Sequence, residues 1–237
     1  MSKMKRRQML MRWVIYLAGM VILAIGLTLN TKTGLGVGAV ISVPYAISEI
    51  WKLNFGNVTM VVYTVFVAIQ MLVHALCPRS LNGRKLKAVL VLDLLQLPFN
   101  MLFTRVINLV SAVVPILSEA YAGQFLGSFV GRVIVLLLAI TLTGVGAMMT
   151  LNMLLVPSSA DGIVQVLAEA TAKPVGFTKN WVDLLSISIN LTLGFVFTGG
   201  LVGAGLCTVV AAFGTGRVMA LCNRICGAQM KRAAGLQ

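Results

Sequence analysis

Two short polar segments of the chain carry residue types that could bind a small solute. The segment 29–38 has alternating glycines, and the segment 157–162 reads Pro-Ser-Ser-Ala-Asp-Gly. Glycine allows positive φ, and serine caps helices. A helix that begins at either segment would direct its free N–H groups toward an anion. In the second segment Asp161 could occupy that position itself, so a cation, an amine or a proton would be favoured there instead. The candidate solute-binding residues are Asn30, Thr33, Gly34, Gly36, Gly38, Ser158, Ser159 and Asp161.

Carboxylates within apolar surroundings are a second chemical feature. The chain has only six acidic residues, and four of them are candidates for a proton or ion relay: Glu49, Glu169, Asp93 and Asp183. Carboxylates inside a membrane are functional candidates by default. Glu49 and Glu169 have an alternative interpretation, since each precedes a lysine closely and could be solvated at the membrane surface. Asp183 is spaced to pair with Lys179 along a helix.

Several other functions are excluded by missing motifs. The sequence GLGVGA at 34–39 is not the dinucleotide-binding pattern, and no phosphate-binding Gly-Lys-Ser or Gly-Lys-Thr occurs. The four cysteines lack zinc-type spacing, and the single His74, without neighbouring ligands, is interpreted as an interfacial side chain. We therefore expect no enzymatic activity, no metal and no cofactor.

The composition predicts an integral membrane protein. Apolar residues make up 59% of the 237 residues and charged residues only 11%. With roughly 20 residues per crossing, the chain allows at most about eight crossings. The net charge of +13 does not indicate nucleic-acid binding, because the basic residues cluster at the ends of apolar segments.

Six segments are long and apolar enough to span a bilayer: 11–29, 57–77, 87–106, 128–150, 180–199 and 202–222. Basic residues precede the first segment and occur in 79–87 and in the C-terminal tail. Because positive loops face the cytoplasm, we expect both termini inside a bacterial inner membrane, with the first segment as an anchor rather than a cleaved signal.

Two further apolar segments, 39–53 and 159–172, are too short to cross comfortably. As helices they would be roughly 21 to 23 Å long, against a core of about 30 Å. We interpret both as re-entrant or half-membrane helices, the alternative being eight full crossings. A third segment, 108–124, is interrupted by Pro115 and predicts an external interfacial helix within a connector at 107–127.

The two halves of the chain match at a separation of 120 residues. Glu49 aligns with Glu169 and Gly56 with Gly176. A Thr-Leu-Asn tripeptide ends both the first and the fourth crossing, and its alignment needs a two-residue gap. We therefore predict an all-α polytopic membrane protein of six transmembrane helices and two short helices, built as two repeats at 1–106 and 128–237. Three crossings in each repeat make the second repeat inverted, a construction common in secondary transporters.

The segments that flank the short helices resemble a known family. The stretch 31–56, with its Gly-x-Gly start and short proline-containing helix, and MLLVPSSADGIVQVLAEATAKPVGF at 153–177 are similar to parts of the bacterial YczE/YyaS/YitT-like membrane proteins. The resemblance is to short members without a cytosolic C-terminal domain. It implies a permease or a transport-associated protein, and it supplies no functional residues.

The sequence thus predicts a transporter or permease for a small polar or charged solute, with its site between the repeats near the bilayer midplane. The alternative is an accessory membrane protein that binds a protein partner or a lipid through small-residue faces. Expected partners are membrane lipids, a solute or ion, and another membrane protein or a second copy. Nucleic acid is not expected.

Overall fold

The structure, a computed structural model, describes residues 3–203 and 205–236, and these residues are helical without any strand. Within these ranges the nine α-helices are α1 (Lys3–Lys32), α2 (Ala39–Ile50), α3 (Phe55–Leu76), α4 (Leu86–Val113), α5 (Leu117–Ala120), α6 (Phe129–Asn152), α7 (Ser159–Thr171), α8 (Val175–Thr198) and α9 (Leu206–Ala233). Single 3₁₀ turns occur at Pro78–Leu81 and Phe125–Gly127.

Among the described residues, five helices are long and apolar enough to cross a membrane, namely α1, α3, α4, α6 and α8. They correspond to the first five predicted crossings, so the chain is a multi-pass membrane-embedded protein. The sixth predicted crossing, 202–222, includes residue 204, which lies outside the described residues, and its remainder falls mostly on α9.

The two short segments form helices close to the predicted limits. Helix α2 has 12 residues and α7 has 13, which corresponds to about 18 and 20 Å. Ser158 is the N-cap of α7, and its hydroxyl accepts a hydrogen bond from the Asp161 N–H at 3.2 Å. This capping interaction matches the sequence prediction for the start of α7.

The predicted interfacial helix over 108–124 is wrong. Helix α4 continues without a break to Val113, because residues 107–113 extend its apolar pattern. It ends two residues before Pro115. This agrees with the rule that the residue preceding a proline disfavours the helical conformation. The single turn of α5 and the 3₁₀ turn at Phe125–Gly127 follow before α6 begins.

The helices group into two compact units that are discontinuous in sequence. The first contains α1, the end of α4, α5, α6 and α9. Here α1 packs along α6 at a glycine-lined crossing: a β-carbon at Gly26 would lie 2.5 Å from the Thr143 nitrogen, and one at Gly146 would collide with the Leu23 backbone. Such close approach between helices is typical of small residues in membranes.

A long-range hydrogen bond also joins α1 to the residues that follow α6. The Arg12 guanidinium donates to the main-chain carbonyls of Met153 at 2.5 Å and Leu154 at 2.7 Å. On its other side α6 packs against α9 around Leu136, Ile140 and Ala211.

The second unit contains α2, α3, most of α4, α7 and α8. Helix α2 packs against α8 and α3, while α7 packs against α3, α8 and the turn at Pro78–Leu81. The amide of Asn190 on α8 donates to the Ser42 carbonyl of α2 at 2.8 Å. The short helices are therefore enclosed by the long helices of this unit.

Candidate functional site

A buried polar cluster lies where α3, α4 and α7 meet inside the second unit. We define this α3–α4–α7 cluster by six side chains, each at most 4% exposed: Gln70, His74, Asp93, Gln96, Asn100 and Ser159. On α3 the polar positions are four residues apart, and on α4 they are three and four apart. Each set therefore lies on one face of its helix.

Two amides form the middle of the cluster. Gln96 Nε2 donates to Gln70 Oε1 at 2.9 Å, and Gln70 Nε2 approaches Gln96 Oε1 at 3.4 Å. Across the pair lies Gly162 of α7, where a β-carbon would be 2.5 Å from Gln70 Oε1. The absence of a side chain at this position lets α7 approach the amides closely.

Ser159, the first residue of α7, connects this helix to both α3 and α4. Its hydroxyl donates to Gln96 Oε1 at 2.9 Å and accepts from Asn100 Nδ2 at 2.7 Å, and its carbonyl accepts from Gln70 Nε2 at 3.2 Å. The start of α7 is thereby held by three polar contacts in an apolar bundle. Any change in the orientation of Gln96 acts directly on the first turn of α7.

His74 and Asp93 form the other end of the cluster. Their Nδ1 and Oδ2 atoms are 2.8 Å apart, while Asp93 Oδ1 lies 3.4 Å from Gln96 Nε2. With Asp93 ionised, Nδ1 carries the imidazole proton and Nε2 is an acceptor. That Nε2 atom is buried and has no hydrogen-bonding partner among the described residues. The interpretation of His74 as an interfacial side chain is therefore wrong.

An ion pair lies beside this end of the cluster. Arg84, in the loop between α3 and α4, donates to Glu169 Oε2 of α7 at 2.7 Å. Arg84 is also close enough to Asp93 for its charge to act on that carboxylate. Helix α7 is thus attached to its neighbours at both ends, by Ser159 at its start and by Glu169 near its end.

The predicted solute-binding residues fall into different units. In the second unit Ser158 donates to Asp161 Oδ2 at 2.7 Å, so Asp161 occupies the α7 N-terminus as expected. In the first unit the Asn30 carbonyl accepts from the Thr33 hydroxyl at 2.8 Å, and both residues are buried. Gly34 and Gly36 have positive φ, and Gly38 does not. A role for these residues in binding stays a prediction.

The remaining relay candidates are paired with basic residues. Asp183 lies 3.5 Å from Lys179, which confirms the predicted pairing, and Glu49 lies 3.7 Å from Lys52. The Glu49 side chain is more exposed than that of Glu169, so Glu49 is the more solvated of the two. Within the described residues no group of three or more His, Cys, Asp or Glu side chains could hold a metal ion.

Sequence reasoning did not find Gln70, His74, Gln96 or Asn100. A signal was present, because strongly polar side chains recur at helical spacing inside two apolar crossings, at 70 and 74 and at 93, 96 and 100. Membrane helices direct such residues toward a protein interior rather than toward lipid. The amides of Gln70, Gln96 and Asn100 carry this signal together with the carboxylate of Asp93.

Comparison with known proteins gives a family but no function. A family model described as "Family of unknown function (DUF6198)" matches residues 10–224, nearly the whole chain. The chain belongs to the DUF6198 family. The residues that the DUF6198 model matches include every residue of the α3–α4–α7 cluster. No curated protein and no solved structure matches the chain.

Proposed function

We propose that this DUF6198 member is a transporter or permease that moves a small polar or charged solute across a bacterial inner membrane. Its site lies near the bilayer midplane at the start of α7, where Ser158 and Asp161 adjoin the α3–α4–α7 cluster and where α3 and α4 of the first repeat meet α7 of the second. The observation that carries this proposal is six buried polar side chains within membrane-spanning and short helices. Polar groups in the membrane interior are costly and mark solute or ion pathways.

The helix boundaries support two repeats. Helices α2 and α7 begin at Ala39 and Ser159, and α3 and α8 begin at Phe55 and Val175; both pairs are 120 residues apart. The residues that follow the short helices, Lys52 and Ala172, have φ of 51° and 53° and keep the same separation. A repeated unit explains why positive φ recurs at two non-glycine positions.

Contacts between helices of the two proposed repeats also support this construction. Helix α2 packs against α8, and α7 packs against α3, so each short helix contacts the long helix of the other repeat. Gln70 on α3 donates to a carbonyl of α7, and Asn190 on α8 donates to a carbonyl of α2. These two amides are also 120 residues apart, as a pseudo-two-fold axis between inverted repeats requires.

Both short helices serve as re-entrant elements in this proposal. Their lengths of about 18 and 20 Å fall short of a hydrocarbon core of about 30 Å. With α9 as the sixth crossing, both termini and the basic loop at 79–87 face the cytoplasm. The resemblance to YczE/YyaS/YitT-like proteins agrees with this arrangement and with a role in transport.

Uptake into proteoliposomes tests the proposal even though the solute is not identified. Liposomes are exposed to a mixture of amines, amino acids, carboxylates and inorganic cations, and their contents are assayed by mass spectrometry. We expect one class to accumulate above protein-free liposomes. Asp161→Asn and Ser158→Ala should slow its uptake about 10-fold, since a hydrogen bond to a charged group contributes about 1.5–3 kcal/mol.

Ser188→Ala is the matched control, because Ser188 is exposed on α8 and its hydroxyl bonds only to the Leu184 carbonyl. Its uptake should equal that of the wild type. Normal uptake in both Ser158→Ala and Asp161→Asn would reject the site, and no accumulation of any class would reject the transporter.

Chemical accessibility separates a transporter from an accessory protein. Single cysteines at residues 34–38 and 158–161, in a chain without its native cysteines, should react with water-soluble maleimides if the starts of the short helices are hydrated. Uniform protection would favour the accessory protein, since a protein that binds partners through lipid-facing helices needs no watery pathway.

A further inference from the structure

We propose that His74 and Asp93 form a proton-binding site whose occupancy controls the position of α7, so that solute movement is coupled to proton movement. This inference rests on the proposed function and names its coupling ion. It depends on the geometry of one imidazole, one carboxylate and the hydrogen bonds that connect them to Ser159.

The pair has a place for one additional proton. Asp93 accepts at Oδ2 from the imidazole Nδ1 at 2.8 Å, and the Nε2 lone pair is buried without a partner in the described part of the chain. A hydronium ion donates a proton to Nε2, so that one O–H bond of hydronium breaks, one N–H bond forms and a water molecule is released. The imidazole becomes imidazolium, and the net charge of the pair changes from −1 to 0. Release of the proton reverses the step.

The surroundings favour such a change of charge. A net charge of −1 in an apolar bundle is costly, and a protonated pair is neutral overall. His74 also lies in the last turn of α3, where the carbonyl end of a helix stabilises a cation. Because α3 ends at Leu76, His74 lies within one turn of the helix end, which the 3₁₀ turn at Pro78–Leu81 follows directly.

Other charges near the pair are already engaged. Arg84 of the loop acts on Asp93 but is bound to Glu169 of α7. The group with an unused buried acceptor atom at this end of the cluster is therefore the imidazole.

Proton binding is transmitted to α7 through Gln96. The Gln96 amide approaches Asp93 Oδ1 with its nitrogen, while its oxygen accepts from the Ser159 hydroxyl. An imidazolium at His74 draws the Asp93 carboxylate toward itself and weakens the contact with Gln96. The amide then shifts its bonds to Gln70, and Ser159 loses a fixed acceptor at the start of α7. The proton site and the first turn of α7 are thereby linked.

Since His74 is the only histidine of the chain, ¹⁵N-histidine labelling gives a single-site reporter in lipid nanodiscs. Spectra recorded from pH 8 to pH 5 should show one neutral tautomer at the upper end, with the proton on Nδ1, and its reversible conversion to imidazolium on acidification. Asp93→Asn should abolish the single tautomer, because an asparagine side chain both donates and accepts. Glu119→Gln, at an exposed carboxylate on α5, should leave the spectrum unchanged. A wild-type imidazole that stays neutral throughout this range would overturn the proposal.

The link to α7 is tested with Ala160→Cys in a chain without native cysteines. Its rate of maleimide labelling should differ at least about 5-fold between pH 8 and pH 5, the lower end of typical coupling between linked sites, after correction for thiol reactivity with a model peptide. The difference should disappear in His74→Gln and in Asp93→Asn. Equal labelling at both pH values would overturn the coupling.

The two proposals fail in different ways. A titrating His74 with pH-dependent labelling but no solute uptake would reject the transporter and leave the proton site standing. Uptake that does not respond to pH, together with an imidazole that stays neutral, would reject the proton site alone.

Discussion

Arg84 and Glu169 are joined by a 2.7 Å hydrogen bond that attaches the end of α7 to the loop between α3 and α4. Glu169→Gln should lower the free energy of unfolding by about 0.2–1 kcal/mol, because Arg84 is substantially exposed and such pairs are screened by solvent. Denaturation in mixed micelles measures this change. Glu49→Gln is the matched control, since its contact with Lys52 is longer at 3.7 Å and more exposed, and it should have no effect.

Gly162 allows α7 to lie against the Gln70 amide. Gly162→Ala places a methyl group 2.5 Å from Gln70 Oε1 and should cost about 1–3 kcal/mol, as overpacking typically does. Thermal unfolding of purified protein in detergent provides the measurement. Gly176→Ala introduces the same methyl group where no atom lies within 4 Å, and a comparable loss in both variants would contradict the close approach of α7.

The contact between α1 and α6 depends on Gly146. A β-carbon at this position would collide with main-chain atoms of α1, which cannot move away as a side chain can. Gly146→Ala should therefore destabilise the protein by about 1–3 kcal/mol, measured as a lower midpoint in size-exclusion thermal profiles. Gly216→Ala on α9, with open space around it, should elute as wild type after the same heating.

The two amides at positions 70 and 190 should differ in their contribution to stability. Asn190→Ala removes one bond, to the Ser42 carbonyl, and should cost about 0.6 and at most about 1.7 kcal/mol. Gln70→Ala leaves both Gln96 and the Ser159 carbonyl short of partners and should cost about 1–3 kcal/mol. Equal losses in the same denaturation assay would argue against the α3–α4–α7 cluster as an interconnected network.

Much of the helical layout could be predicted from the sequence. The lengths of apolar segments located five crossings, and the Pro-Ser-Ser-Ala-Asp sequence located the start of α7, because these signals depend only on neighbouring residues. The end of α4 differs from the prediction, which ended the third crossing at residue 106, whereas the helix continues to Val113.

The cluster itself could not be predicted in the same way. His74 and Asp93 are 19 residues apart, and Ser159 is 63 residues beyond Gln96. Their contacts depend on which faces of α3, α4 and α7 meet, which no local pattern specifies. The separation of 120 residues was the one long-range signal available. It indicated which helices correspond between the two halves, and not which side chains are in contact.

The bond from Arg12 to the carbonyls of Met153 and Leu154 has a consequence for how the chain is made. It joins residues 141 and 142 positions apart, and a chain is synthesised from its N-terminus. Helix α1 therefore waits in the membrane until α6 has been completed before its guanidinium finds these acceptors. During that interval water, lipid headgroups or the insertion machinery must accommodate the charge, so this contact of the first unit forms only after synthesis has passed residue 154.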